Sequence, residues 1–336
     1  MQAPQPQIQT QTLPPPPGII GSLRTGFDAT AAHITVILMP LALDLLLWLG
    51  PHVSMNQIVQ PVLMDFGDLA SGGGMKPADI QSALDMYRNF FQSFNLLDIL
   101  RTFPIGISSL MSGTMPTKSP LGAPAIFQID SPGLLLGLFF LLTLIGWILG
   151  GLYFQWVAAL VTPENAAEST ASAGRAVLQT LLYSVIWSLL AWTIGLPVAL
   201  ILYIFFTINT LLGEGVLLVL GFLSMWLIVP IFFSLHGIFI RRQNALASIL
   251  GGFRMTRFTL PTSSLFVLIV MLLSIGLNFL WSVPDSNSWL ALVGILGHAF
   301  ITTALLAASF VYYHDMNAWL QTALARLRSG LPTQQV

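Results

Sequence analysis

The chain has no cysteine, which excludes disulfides, thiolate metal sites and cysteine nucleophiles and leaves the redox compartment unreadable. It is also poor in charge. Only 7% of its residues are charged, against roughly a quarter in a soluble domain, so water is not the solvent for most of the polypeptide. The net charge is −1 with no basic block, which removes the electrostatic footprint of a nucleic-acid binder. No HExxH, GxSxG or phosphate-loop motif occurs, nor a pair of carboxylates at catalytic spacing. Asp65, Asp68, Asp79 and Asp85 gather loosely, but their spacing fits no calcium-binding loop, and they read as the solvated face of helices. The expectation is a protein that is not an enzyme, with no catalytic residues, metal site or cofactor.

Apolar sequence is what the chain has in abundance. A membrane-crossing helix needs about 20 mostly apolar residues, and six runs qualify: 31–52, 133–161, 177–208, 215–240, 262–282 and 289–313. The predicted fold is an all-α membrane protein of six transmembrane helices, with both termini on one side. The Gln/Pro-rich stretch 1–18 lacks positive charge before the apolar run, unlike a secretory signal, and reads as a disordered tail. An interfacial helix and the first span then occupy 19–52, an extracytoplasmic, partly helical loop 53–132, five further spans 133–314, and a C-terminal interfacial helix with its tail 315–336.

Lys and Arg decide the orientation, since short cytoplasmic loops retain them. Arg24, Arg175, Arg241, Arg242, Arg254, Arg257, Arg326 and Arg328 all fall on one side of the six-span order. The short segments near 209–214 and 283–288 have none. The chain is therefore placed in the cytoplasmic membrane with both termini cytoplasmic. In the long loop, Ile80, Leu84, Tyr87, Phe91, Phe94, Leu97 and Leu100 recur at helical spacing, which predicts one or two amphipathic helices on the outer leaflet or capping the bundle. Beyond Phe103 an irregular stretch leads into the second span.

Self-similarity adds a finer expectation. An offset of 79 superposes Asn165-Ala166 on Asn244-Ala245, Trp147 on Trp226 and Arg175 on Arg254, and Ile194-Gly195-Leu196 aligns with Ile275-Gly276-Leu277 after a short insertion. Ile19 to Arg24 supplies a partial third copy of Ile249 to Arg254. The repeating unit is then a short cytoplasmic amphipathic helix ending in Arg, followed by a hairpin of two spans, three times over. In the best copy Leu246, Ile249, Leu250 and Phe253 form an apolar stripe, with Arg242, Arg254 and Arg257 toward headgroups. Arg24 and Arg175 take that place in the other copies.

The segments ENAAESTASAGRAVLQTLLYSVIW and QNALASILGGFRMTRFTLPTSSLFVLIVMLL, Ala-rich and Arg-bearing ahead of a span, resemble those of uncharacterised bacterial membrane families: the YciC-like proteins and the membrane domain attached to some glycerophosphodiester phosphodiesterases. The likeness covers roughly 130–330 and lies in hydropathy and small residues. It implies a membrane-embedded accessory role. The long loop after the first span departs from it, and with no soluble phosphodiesterase domain in this sequence that activity does not transfer.

Polar side chains inside apolar runs are the candidate site, because an ionisable group in the bilayer core is costly. Asp44, His236, Asn278 and His298 could line a polar path for an ion or small solute. The plainer reading gives each an interhelical hydrogen bond. Gly133 with Gly137, and Gly146 with Gly150, have the spacing that lets helices approach closely, within the chain or in a dimer. Trp48, Trp156, Trp281, Trp289 and Trp319 read as interfacial anchors. The favoured function is a non-catalytic accessory, scaffold or lipid-interacting component, with a small-solute or ion transporter as the alternative. Expected partners are the bilayer, other membrane proteins or a second copy of the chain. A cavity joining Asp44 to His236 or His298 is the expected mark of transport.

Overall fold

The computed structural model describes residues 15–74, 76–112, 119–162 and 169–329. Most of the Gln/Pro-rich tail, the tail after 329 and the Asn165-Ala166 half of the repeat match lie outside the described residues. The protein is an all-α membrane protein with five helices long and apolar enough to cross a bilayer, or six if one sharply bent pair counts as a single span.

That pair is the first expected span with the helix before it. Helix α1 (Ile19–Ala32) and the segment Ile34–Leu49, which ends in α2 (Leu38–Leu49), meet at 92°, so the bend falls at the start of the expected run 31–52 and nearly all of that run lies beyond it. The break falls at His33 (φ −129°, ψ 59°) and is followed by a 3-10 turn over Ile34–Ile37. Four consecutive β-branched residues, Ile34, Thr35, Val36 and Ile37, disfavour a continuous helix there. Thr30, whose hydroxyl donates to the Gly26 carbonyl oxygen, loosens the turn before it.

The long loop folds as two helices, α3 (Asn56–Gly72) and α4 (Pro77–Ser93), which share a small apolar contact of Leu63, Ile80 and Leu84 separate from the main core. A short parallel pair, β1 (His52–Ser54) with β2 (Ile126–Gln128), ties the two ends of the loop together. His52 is buried there, and burial holds its imidazole below the usual range.

The remaining elements are long. Helix α5 (Pro132–Val161) starts on a Ser131 cap that accepts from the Leu134 N–H. Helix α6 (Ser169–Ile208) and α7 (Thr210–Ser234) are separated only by Asn209, whose side chain accepts from the Leu211 N–H and caps α7. A short α8 (His236–Ile240) ends α7's span. Helix α9 (Ala245–Trp281) opens on the Asn244 cap and kinks at Thr259 (φ −125°, ψ 17°), two residues before Pro261, which lacks an N–H and crowds the preceding turn. Helix α10 (Ala291–Ser329) runs through the middle of the molecule. The segments expected as separate interfacial helices before the third span and after the sixth run on into α6 and α10, whereas the one before the fifth is set off from its span by the Thr259 kink within α9.

Close approach is built on small residues. Ser22, Gly26 and Thr30 form the buried face of α1, against α10 at Ala304 and Ala308. A β-carbon on Gly26 would stand 2.4 Å from the Ala308 nitrogen. On α9, Ser248, Gly252, Thr256 and Thr259 face inward, while the stripe of Leu246 and Leu250 is exposed. Because the chain has no natural cysteine, single cysteines at the exposed positions 78 and 254 test the orientation. Impermeant thiol reagents should label them from opposite sides of the membrane, and labelling from one side overturns the six-crossing order.

Candidate functional site

Residues 95–111 turn back into the bundle instead of staying outside it. Leu96, Leu100, Ile105, Ile107, Leu110 and Met111 belong to the main core, beside Trp48, Tyr153 and Ile295. Asn95 opens the segment, its side-chain oxygen accepting from the N–H groups of Val53 and Leu97, and a 3-10 turn follows over Leu96–Arg101. Helix α5 makes room with two glycines. A β-carbon on Gly146 would lie 2.7 Å from the Leu100 carbonyl oxygen, and one on Gly150 3.1 Å from Gly106 Cα. The Gly146/Gly150 pair therefore admits a loop, where the sequence suggested a second helix. Gly133 and Gly137 meet nothing closer than a side-chain oxygen at 3.7 Å.

The intramembrane polar residues hold this loop. Asp44 on α2 is fully buried and accepts from the Ser109 hydroxyl at 2.5 Å and the Met111 N–H at 3.0 Å, both on Oδ1. His298 on α10 pairs through Nε2 with the Ser108 hydroxyl at 3.1 Å. Adjacent loop residues are thus tied to two different helices. Trp147 adds a third tie, donating from its indole N–H to the Phe103 carbonyl oxygen.

His236 belongs elsewhere. It starts α8, its Nε2 lies 2.8 Å from the Ser309 hydroxyl of α10, and its ring is surrounded by Phe232, Phe233, Phe310 and Tyr313 with centroids 4.9–5.5 Å away. Nearby hydroxyls pair in the same way, Tyr153 with Thr303 at 2.8 Å and Tyr183 with Ser234 at 2.5 Å. Asn278 joins neither group: it is exposed on the outer surface of α9. A polar residue on a lipid-facing surface looks the same in one dimension as one facing a neighbour, so it drops out of the expected polar path. Trp48 is likewise no lipid-facing anchor, being buried with its indole N–H donating to the Ser286 carbonyl oxygen and its ring against Trp289.

Two cavities lie at membrane depth. One, of about 480 Å³, is bounded by Phe103 to Ser108 of the loop, Tyr153 and Phe154 of α5, Ile228 to Phe232 of α7, and Leu305 to Ser309 of α10. His236 lines it, but Asp44, His298 and Asn278 do not. The second, about 770 Å³, lies between α5, α6 and Asp98 to Phe103. At the opposite end of the bundle from the loop, Arg175 and Arg242 share a cleft with Gln155, Ser172 and Gln179, and an Arg175 guanidinium N–H donates to the Arg242 carbonyl oxygen. Arg242 sits in the left-handed region (φ 50°). Its neighbour Arg241 lines a separate cleft with Arg254, so one turn presents adjacent guanidiniums to two clefts. Arg257 lies over the Phe258 ring, and Arg24 forms an exposed pair with Asp28.

The loop contacts were not visible in sequence because Ser108 and Ser109 stand in a stretch of Gly, Pro and Ser without periodicity. Among the described residues, no three His, Asp or Glu side chains gather closely enough to hold a metal ion. Comparison with protein-family models, with curated protein sequences and with solved structures finds no match for this chain.

Proposed function

We propose that the protein is a non-catalytic, lipid-interacting component of the cytoplasmic membrane, both termini cytoplasmic, acting as an accessory or scaffold. The carrying observation is the use made of the intramembrane polar groups: Asp44 and His298 fix the 95–111 segment from two helices, and neither lines the His236 cavity. A transport path needs polar groups that a solute can reach in succession. Here the two strongest are committed to internal bonds. The membrane-depth cavities present mostly apolar surface, which suits hydrocarbon. Arginines at the far end suit phosphate headgroups, and the exposed Leu246 and Leu250 beside Arg242 and Arg254 suit the boundary between headgroups and acyl chains. The hairpin repeats and the resemblance to YciC-like membrane proteins enter as parts of the same proposal.

Native mass spectrometry of the gently solubilised protein from its own membranes tests the reading. The expected result is phospholipid retained on the protein, with or without a stoichiometric protein partner. Lipid-free protein that takes up a solute in proteoliposomes, with uptake abolished by Asp44→Asn, overturns it in favour of transport.

A further inference from the structure

The two membrane-depth cavities differ in character and touch at one residue. The larger is a groove on the lipid side, where Phe139, Phe140, Leu144, Val185 and Trp192 are all exposed. Asp98, Arg101 and Thr102 stand at its loop end. The smaller is a deeper chamber, itself open to the outside at Ile228 and Phe103, whose other walls include Tyr153, Tyr183, His236, Leu305 and Ser309, each at most 3% exposed. Phe103 lines both and is 71% exposed, so the partition between groove and chamber is a side chain with little packing to hold it.

We propose that one acyl chain of a glycerophospholipid enters along the groove, passes Phe103 and ends in the inner chamber, with the lipid phosphate held by Arg101. This rests on the lipid-interacting reading and specifies the site. Three physical points select the occupant. The accessible surface of the chamber is mostly apolar despite the hydroxyls in its walls, and a hydrocarbon chain restores the dispersion contacts that an empty wall forgoes. Both volumes fall within the roughly 300–1,000 Å³ of ligand sites. The charge also matches, since Arg101 is the one basic residue lining the groove and guanidinium is suited to phosphate.

The full chain is reconstituted in vesicles containing a phosphatidylethanolamine with a diazirine at the end of one acyl chain, and labelled peptides are mapped after illumination. Labelling is expected at 228–236 and 302–309, in excess of the lipid-facing stretch 217–226. Leu305→Trp, which fills the chamber, lowers chamber labelling about tenfold while 217–226 is labelled as before, which shows the variant is folded and inserted. Ile231→Trp, from another wall, has the same effect. A diacylglycerol carrying the same chain labels the chamber less than the phospholipid does, and Arg101→Gln removes that difference.

Labelling confined to the groove at 139–147 and 185–192, or chamber labelling indifferent to both tryptophans, overturns the proposal even if lipid is retained in native mass spectrometry. A protein crosslinked in the groove in native membranes, without chamber labelling, also overturns it. Loss of all retained lipid overturns the underlying reading instead.

Discussion

Replacing Asp44 by Ala should release the 95–111 segment and be among the most destabilising single substitutions in the protein. The carboxylate oxygen accepts from both the Ser109 hydroxyl and the Met111 N–H, and the site is fully buried. Each buried donor left without an acceptor costs about 1–3 kcal/mol. With two such donors released, a loss of about 3 kcal/mol or more is expected. Hydrogen exchange should show it locally, with protection falling across 96–111 while α9 and the far half of α10 are unchanged. Asp44→Asn keeps a side-chain oxygen in the same place and should retain most of the stability. Equal destabilisation by Ala and Asn would mean that the charge matters more than the acceptor, and an unaffected Ala variant would mean that the loop is held by apolar packing alone.

The second large effect is expected at Gly26. Here the obstacle to a side chain is backbone: the Ala308 nitrogen and Cα and the Ala304 carbonyl oxygen lie 2.4–2.7 Å from where a β-carbon would stand. Flexible side chains can rotate away from an intruder, but a helix backbone in the middle of the bundle cannot. Gly26→Val should therefore separate α1 from α10, costing about 3 kcal/mol or more, at the upper end for overpacked sites. Reporter cysteines at 22 and 30, on the buried face of α1, should be protected from thiol reagents in the parent and labelled readily when combined with Gly26→Val. Continued protection would mean that α1 is held by contacts other than this crossing.

Hydropathy made most of the fold legible because hydrocarbon demands the same thing of every span: enough apolar residues to cross and internally satisfied backbone. That logic finds all five long helices, but α6 and α9 begin well ahead of their apolar runs, at Ser169 and Ala245, and α10 continues well past its run to Ser329. It places the first span near Ile34–Leu49 but does not report its 3-10 start over the stiff Ile34 to Ile37 run. Asp44, His236 and His298 were recognisable as unusual, since each stands alone among apolar neighbours. What they touch was not. Ser108 and Ser109 belong to a loop that conforms to no period, and Ile105, Ile107 and Leu110 are core residues in a stretch whose Gly and Pro content argues for exposure. Asn278 carried the same signal as the other three and faces outward, because a one-dimensional pattern gives the polarity of a position without its direction.

Helix α6 has a mechanical consequence for the membrane around it. Its 40 residues make a rod of about 60 Å, against about 40–45 Å for a bilayer with its headgroups. It is joined to α7 through a single residue and packs along it, so the two move as one unit. Such a mismatch is relieved by leaning or by local thickening of the bilayer, each at a small cost per ångström. The hairpin is then a gauge of thickness as well as a wall of the bundle, and thin and thick membranes would set it at different tilts.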